Sequence, residues 1–285
     1  IYALHENVSP MSQPKHIILG DPDLYGVGVR VGLYAQWVAT LFATVFDPRS
    51  ESDLRLANLI IQCAVFLGLC VNSNKDRPLV GAMITQFLLC GSLSSVTGDG
   101  VGHLSRFSGV MRVFFYLGLS AYGCWFWFEG IDIMEHDQHG FHDIAFLGGT
   151  HFDGWFRTLG KVASVGGVII CVGCLCYSVY AIFHRFRDGF EEGFVTRHKG
   201  RPRVELSLVV LSMGLIGISI ATAEYLVAVN NVQFPISEAG NPIMSVGQFI
   251  PLIAGGVVCL FMVWKVIMDG LFMRKRCWFL FGYHL

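Results

Sequence analysis

The stretch Leu159-Gly160-Lys161-Val162-Ala163-Ser164-Val165-Gly166-Gly167-Val168-Ile169-Ile170-Cys171-Val172-Gly173-Cys174-Leu175-Cys176-Tyr177-Ser178-Val179-Tyr180-Ala181-Ile182-Phe183 decides the fold. After Lys161 it carries no charge, and no polar face repeats at helical spacing. A run of about 18 or more apolar residues is the length a helix needs to cross the hydrocarbon core of a bilayer. Working outward from 159–183, six further stretches have the same character: 27–46, 54–71, 79–98, 107–128, 204–229 and 244–273. The stretch 79–98 is diluted by Gly and Ser. The whole chain is 53% hydrophobic and 14% charged, with mean hydropathy +0.55. A soluble domain of this length needs more charge to cover its surface. The expected fold is all-α: a polytopic membrane bundle of about seven transmembrane helices, forming a single domain over residues 1–285.

Basic residues set the orientation, because loops rich in Lys and Arg stay cytosolic. With the N-terminus outside or lumenal and the C-terminus cytosolic, the inner segments carry 13 basic residues and the outer ones 6, with Lys265 left inside the seventh span. The segment from His184 to Arg203 alone holds six of the 13. An endoplasmic-reticulum or other endomembrane location suits such a protein. The first span can serve as its own targeting signal, and the sequon at Asn7 falls on the outer side.

Several function classes lose support. The net charge of −1 offers nothing to nucleic acid. Eight of the nine cysteines lie within spans, where they pack as small apolar residues. Cys171-Val-Gly-Cys174 is therefore no redox or zinc motif. The acidic, His-rich connection 129–158 contains His136, His139, His142 and His151, but the spans supply no matching histidines, so the expectation is no metal and no cofactor. Lys265 invites comparison with a retinal-binding lysine, yet it lies where the apolar run ends, able to reach the cytosolic surface or pair with Asp269. Ser50-Glu51-Ser52-Asp53 reads as a capping box at the start of the second span. No internal repeat supports an inverted-repeat transporter.

Polar residues inside a membrane face the bundle interior and mark function. Arg30 and Gln36 in the first span, Gln86 in the third, Glu129 at the end of the fourth, Glu224 in the sixth and Gln248 in the seventh all fall in the outer half, and the inner half has little of comparable character. One polar cavity open to the lumen is the expectation. Two readings are open for Glu224: a carboxylate paired with Arg30 that holds two helices together, or a carboxylic acid that donates a proton. Glu129 offers the same choice. Around it runs Tyr122-Gly123-Cys124-Trp125-Phe126-Trp127-Phe128, either an interfacial aromatic belt or a ring-lined pocket that stabilises a cation.

The segment Asp23-Leu24-Tyr25-Gly26-Val27-Gly28-Val29-Arg30-Val31-Gly32-Leu33-Tyr34-Ala35-Gln36-Trp37 resembles the opening of a large group of fungal polytopic membrane proteins, and Gly247-Gln248-Phe249-Ile250-Pro251-Leu252 resembles their last helix. This group is taken to include the fungal integral-membrane meroterpenoid cyclases of the macrophorin and ascofuranone type. The resemblance implies a cofactor-free terpene cyclase that protonates an olefin or epoxide of a lipophilic, farnesylated aromatic substrate. Glu224 is then the first candidate for the acid and Glu129 the second. Arg30 would tune the acid or hold the polar end of the substrate. Tyr122, Trp125, Trp127 and Tyr225 would line the cationic path, with Gln36, Gln86 and Gln248 as polar contacts. The rival class is a seven-helix receptor, channel or transporter, although the chain lacks an outer cysteine pair and an Asp-Arg-Tyr motif.

Overall fold

The computed structural model describes residues 18–47, 50–73, 79–92, 107–136, 143–144, 150–151, 154–187, 206–235 and 245–281. A one-turn helix α1 (Pro22–Tyr25) leads into α2 (Val27–Phe46), α3 (Glu51–Asn72), α4 (Leu79–Cys90) and α5 (Phe107–Trp125). A π-helical turn (Phe126–Gly130) joins α5 to α6 (Ile131–His136), and then come α7 (Trp155–Arg187), α8 (Leu206–Val229) and α9 (Val246–Phe281). Two small strand pairs complete the described residues. Strand β1 (Ile18–Leu19) runs parallel to β4 (Val232–Gln233), and β2 (Asp143–Ile144) runs antiparallel to β3 (Thr150–His151).

Five segments are long and apolar enough to cross a membrane: Pro22–Phe46, Asp53–Asn72, Trp155–Ala181, Val209–Val229 and Val246–Met268. The stretches 79–98 and 107–128 depart from expectation. Helix α4 has 12 residues, or about 18 Å at 1.5 Å per residue, well short of the roughly 30 Å core. Beyond it the Ser92 hydroxyl donates to the Leu89 carbonyl at 2.6 Å and meets the Tyr116 hydroxyl at 2.9 Å. Helix α5 is long enough, but Arg112 and its glycines and serines dilute it. It packs against α7 and α3, so other helices cover much of its surface.

The fourth helical segment does not close at Glu129. Within Phe126–Gly130 the bonding pattern shifts, so that the N–H of Ile131 reaches the Phe126 carbonyl, and the helix continues to His136. A one-turn π bulge leaves a carbonyl poorly satisfied. Arg157 of α7 supplies donors there: its Nε to the Trp127 carbonyl at 3.0 Å and a terminal nitrogen to the Phe128 carbonyl at 3.1 Å.

Helix α2 is central. It packs most extensively on α9 and also touches α3 and α8, while α4 packs on α8. Small residues make the α2–α9 contact close, as in many membrane helix pairs. A Cβ on Gly32 would collide with the carbonyl of Pro251, and one on Gly255 with the carbonyl of Gly32. The core gathers Val29, Leu33, Met83, Ile84, Leu88, Leu89, Phe126 and Ile131, all fully buried. The outer faces are apolar too. Ile169, Ile170, Tyr180 and Phe183 of α7, and Val257, Leu260, Phe261 and Trp264 of α9, are more than half exposed. A continuous apolar exterior of this kind suits lipid and not water.

The end of the bundle that the expected orientation places on the cytosolic side departs from expectation. It is not poor in polar groups: Glu51, Arg55, Asn58 and Gln62 are all buried. Arg55 pairs with Glu51, whose carboxylate also accepts from Thr44. Asn58 donates to the Thr40 hydroxyl at 2.8 Å, and that hydroxyl donates to the Gln36 carbonyl at 2.8 Å. The hydropathy pattern missed these residues because α3 is apolar on average and turns them all toward α2. Ser50 does sit at the N-cap of α3, but it makes no side-chain capping bond; its hydroxyl donates to Asp47 at 2.6 Å. Lys265 also binds Asp47, tying α9 to the end of α2. The sequon at Asn7 and His139 and His142 lie outside the described residues.

Candidate functional site

Arg30 and Glu224 lie 194 residues apart and form an ion pair between α2 and α8. Arg30 follows the Gly26 N-cap of α2 by one turn, and the face it occupies meets α8. Tyr34 is four residues on, which places it on the same side of the helix. Its hydroxyl donates to Oε1 of Glu224 at 3.0 Å, while Arg30 donates to Oε2. Both carboxylate oxygens are thus held from α2. The exposures differ sharply: the Arg30 side chain is 6% exposed and that of Glu224 is 48% exposed. The guanidinium is an interior group, and the carboxylate sits on the flank of the bundle.

A third residue covers the guanidinium. Past α8 the chain turns through Asn231, which has φ 47°, a left-handed conformation that Asn tolerates better than most residues. This turn returns the chain to β1, and Gly20 N–H donates to the Gln233 carbonyl at 2.7 Å. Phe234 follows β4. Its ring centroid lies 5.9 Å from Cζ of Arg30 and 5.8 Å from the ring of Tyr25, to which it is edge-on. A Cβ on Gly20 would come within 2.8 Å of the Phe234 ring, so that glycine lets the ring lie close.

The remaining candidates do not converge on this pair. Gln248 of α9 accepts the Gly28 N–H at 3.2 Å, satisfying a backbone donor in the first turn of α2. Gln36 is buried beside α3, where its carbonyl accepts from Thr40. Gln86 lies near Gly123 of α5. Tyr225 is 37% exposed on α8. Glu129 is exposed on the π turn, whereas Glu224 is on α8. The aromatic residues form a cluster of their own. Tyr122 packs on Trp125 and Phe126, with ring centroids at 5.5 and 6.3 Å, and Trp127 packs edge-on to Phe156 at 5.4 Å. The Trp127 ring also lies where Gly160 leaves room for it. A shallow open cleft, with room for little more than a water molecule, lies between Asp21, Tyr25, Leu69, Ser73, Gly81 and Met134. Ser73 reaches from its edge to the Tyr122 hydroxyl at 2.7 Å.

Among the described residues no group of three or more His, Cys, Asp and Glu side chains is disposed to hold a metal ion. Sequence reasoning missed Tyr34 and Phe234. The i, i+4 spacing from Arg30 was a usable signal for Tyr34, whereas Phe234 depends on the pairing of two strands more than 200 residues apart. Comparison with protein-family models, with curated proteins and with solved structures finds no match to this chain.

Proposed function

We propose that this chain is an integral-membrane terpene cyclase of isomerase or lyase type. In this reading it crosses the bilayer about seven times, with its N-terminus lumenal and its C-terminus cytosolic, and works without a cofactor. The substrate is a lipophilic prenylated aromatic compound that arrives through the lipid. One observation carries the reading: Glu224 has both carboxylate oxygens held from α2, yet half of its side chain remains exposed on an otherwise apolar flank.

Arg30 holds the Glu224 carboxyl from the interior, and Glu224, in its acid form, faces the terpenoid chain. Its O–H proton goes to the terminal carbon of an olefin or to the oxygen of an epoxide. The C=C π bond or the C–O bond breaks, an internal olefin closes a new C–C bond on the cation, and loss of a proton from a neighbouring carbon returns the acid. The net change is isomerisation, so no oxidant is consumed. Tyr34, whose hydroxyl meets the acid, Tyr225, on the same helix as the acid, and Phe234, over Arg30, are the aromatic candidates for the cationic path.

Membranes carrying the protein, incubated with epoxyfarnesyl phenols, test this reading. The wild type should form cyclised products, and Glu224→Gln should lose turnover by about 10²–10⁴-fold, the usual worth of a general acid, at unchanged folded yield. A fully active Glu224→Gln transfers the role to Glu129, and a silent result at both positions removes the mechanism. The rival reading, a receptor, channel or transporter, is favoured by one observation: Glu224 already stands paired with Arg30, as a purely structural tie between α2 and α8 would require.

A further inference from the structure

Three buried side-chain groups near the middle of α2 and α3 have no hydrogen-bond partner among the described residues: Oε1 of Gln36, Nε1 of Trp37 and Nε2 of Gln62. Their residues are 4%, 2% and 3% exposed. A buried donor or acceptor left unmatched costs about 1–3 kcal/mol, and native interiors rarely keep several together. Their placement follows from neighbouring contacts. Helices α2 and α3 run antiparallel, since Thr44 meets Glu51, Thr40 meets Asn58 and Leu24 lies against Gly68. Gln36 is one turn from Thr40 on α2, and Gln62 is one turn from Asn58 on α3, both toward the same end of the bundle. An unmatched amide oxygen and an unmatched amide nitrogen therefore sit at one level on facing helices, and Trp37, the next residue along α2, carries the third unmatched group.

We propose that this junction is an internal water-binding site. Water is the ligand of suitable chemistry, since it accepts from Nε2 of Gln62 and Nε1 of Trp37 while donating to Oε1 of Gln36. Buried waters make about three hydrogen bonds to groups of this kind. The site lies between two polar sets already described. Toward one end Tyr34 and Arg30 hold Glu224; toward the other, Thr40, Asn58, Thr44, Glu51 and Arg55 form a bonded series. With water at the junction, the bonded series of Thr40, Asn58, Thr44, Glu51 and Arg55 continues along the α2–α3 contact to Gln36 and Gln62. The inference stands apart from the cyclase reading and requires no substrate.

Hydroxyl-radical footprinting of the intact protein in detergent micelles or nanodiscs, read by mass spectrometry, tests it. Radiolysis of a bound water oxidises the side chain beside it even where bulk solvent does not reach. Trp37 should be labelled several-fold more than Phe126, a fully buried ring in the aromatic cluster, after correction for intrinsic reactivity. In ¹⁸O water that label should take up the isotope more slowly than labels on exposed residues. The double substitution Gln36→Leu with Gln62→Leu should abolish Trp37 labelling while leaving that of Trp155, exposed at the start of α7, unchanged. Trp37 labelling no higher than that of Phe126 would overturn the proposal and point to direct amide-to-amide bonding. Labelling that survives the double substitution would overturn it as well. Should that variant fail to fold, the wild-type ratio of Trp37 to Phe126 still decides.

Discussion

Gly32 of α2 and Gly255 of α9 meet backbone against backbone, with the carbonyl of Gly32 occupying the space where a Cβ on Gly255 would stand. A neighbouring position sets the contrast, because a Cβ on Gly256 would meet nothing within 4 Å. Gly32→Ala or Gly255→Ala should force the two helices apart and sharply lower folded yield and melting temperature in detergent. Gly256→Ala should be neutral, or stabilising by up to about 1 kcal/mol, from helix propensity alone. Fluorescence-detected size-exclusion after heating reads all three. Equal behaviour at 255 and 256 would refute the close packing.

The Arg30–Glu224 pair is asymmetric, and its substitutions should be as well. Glu224→Ala leaves a buried guanidinium without its counter-charge. The loss should reach up to about 3 kcal/mol, moderated because half of Glu224 is exposed and its charge is partly screened. Glu224→Gln keeps acceptors for Arg30 and should cost less. The double change Arg30→Met with Glu224→Leu should recover most of the stability lost in Glu224→Ala, since no charge is then left in the interior. If the double variant is the least stable of the three, the guanidinium has another partner.

Arg157 should hold the π turn in place. It donates to two carbonyls there and to Asp132 at 2.7 Å. Arg157→Met should loosen the Trp125 to Trp127 segment, seen as weaker near-ultraviolet circular dichroism, while helix content barely changes. Retention of the full near-ultraviolet signal would show that the ring packing of Trp127 on Phe156 is sufficient.

The Arg157 hydrogen bond outweighs the opposing effect of desolvation and, with help from the positive charges of Arg157 and Lys161, holds the Asp132 carboxyl below the usual carboxylate range. A carboxyl lowered in the folded state stabilises the protein above its unfolded value of about 3.9, and that stability is lost as pH falls through the folded value. Because Asp132 is 60% exposed, the contribution should be under about 1 kcal/mol and should weaken in high salt. Melting temperatures of wild type and Asp132→Asn should differ at pH 6 and converge below pH 3. A difference that persists at the lower pH would locate the effect elsewhere.

Orientation has its own test. An epitope inserted near residue 193, within the basic segment between α7 and α8, should be reached by antibody from the cytosolic side and protected on the lumenal side. Lumenal exposure would invert the topology drawn from the basic residues.

Helix content and position were legible in the chain because they depend on the local density of apolar residues. The expected span 27–46 coincides with α2, and 54–71, 159–183, 204–229 and 244–273 each fall on α3, α7, α8 and α9 within a few residues at most ends. Hydropathy averages side chains without regard to direction, so it could not show that Glu51, Arg55, Asn58 and Gln62 share one face and turn it toward α2. Nor could it show that a π turn carries the helical path from α5 past Glu129 into α6, where Arg157 of α7 donates to the turn's carbonyls.

At the site, the sequence by itself determined that a basic and an acidic residue stand at similar depth in two apolar helices, and that their pairing is favourable wherever the helices touch. Only the tertiary structure decided that α2 and α8 do touch there, that Tyr34 takes the second oxygen of Glu224, and that Phe234 reaches Arg30 through the β1–β4 pairing. It also put Glu129 and the Tyr122 to Trp127 rings in a different part of the bundle from Glu224. The reason is physical. Transferring a side chain from water to a membrane interior depends on that residue and its immediate neighbours, whereas a contact between distant residues depends on how every helix between them packs.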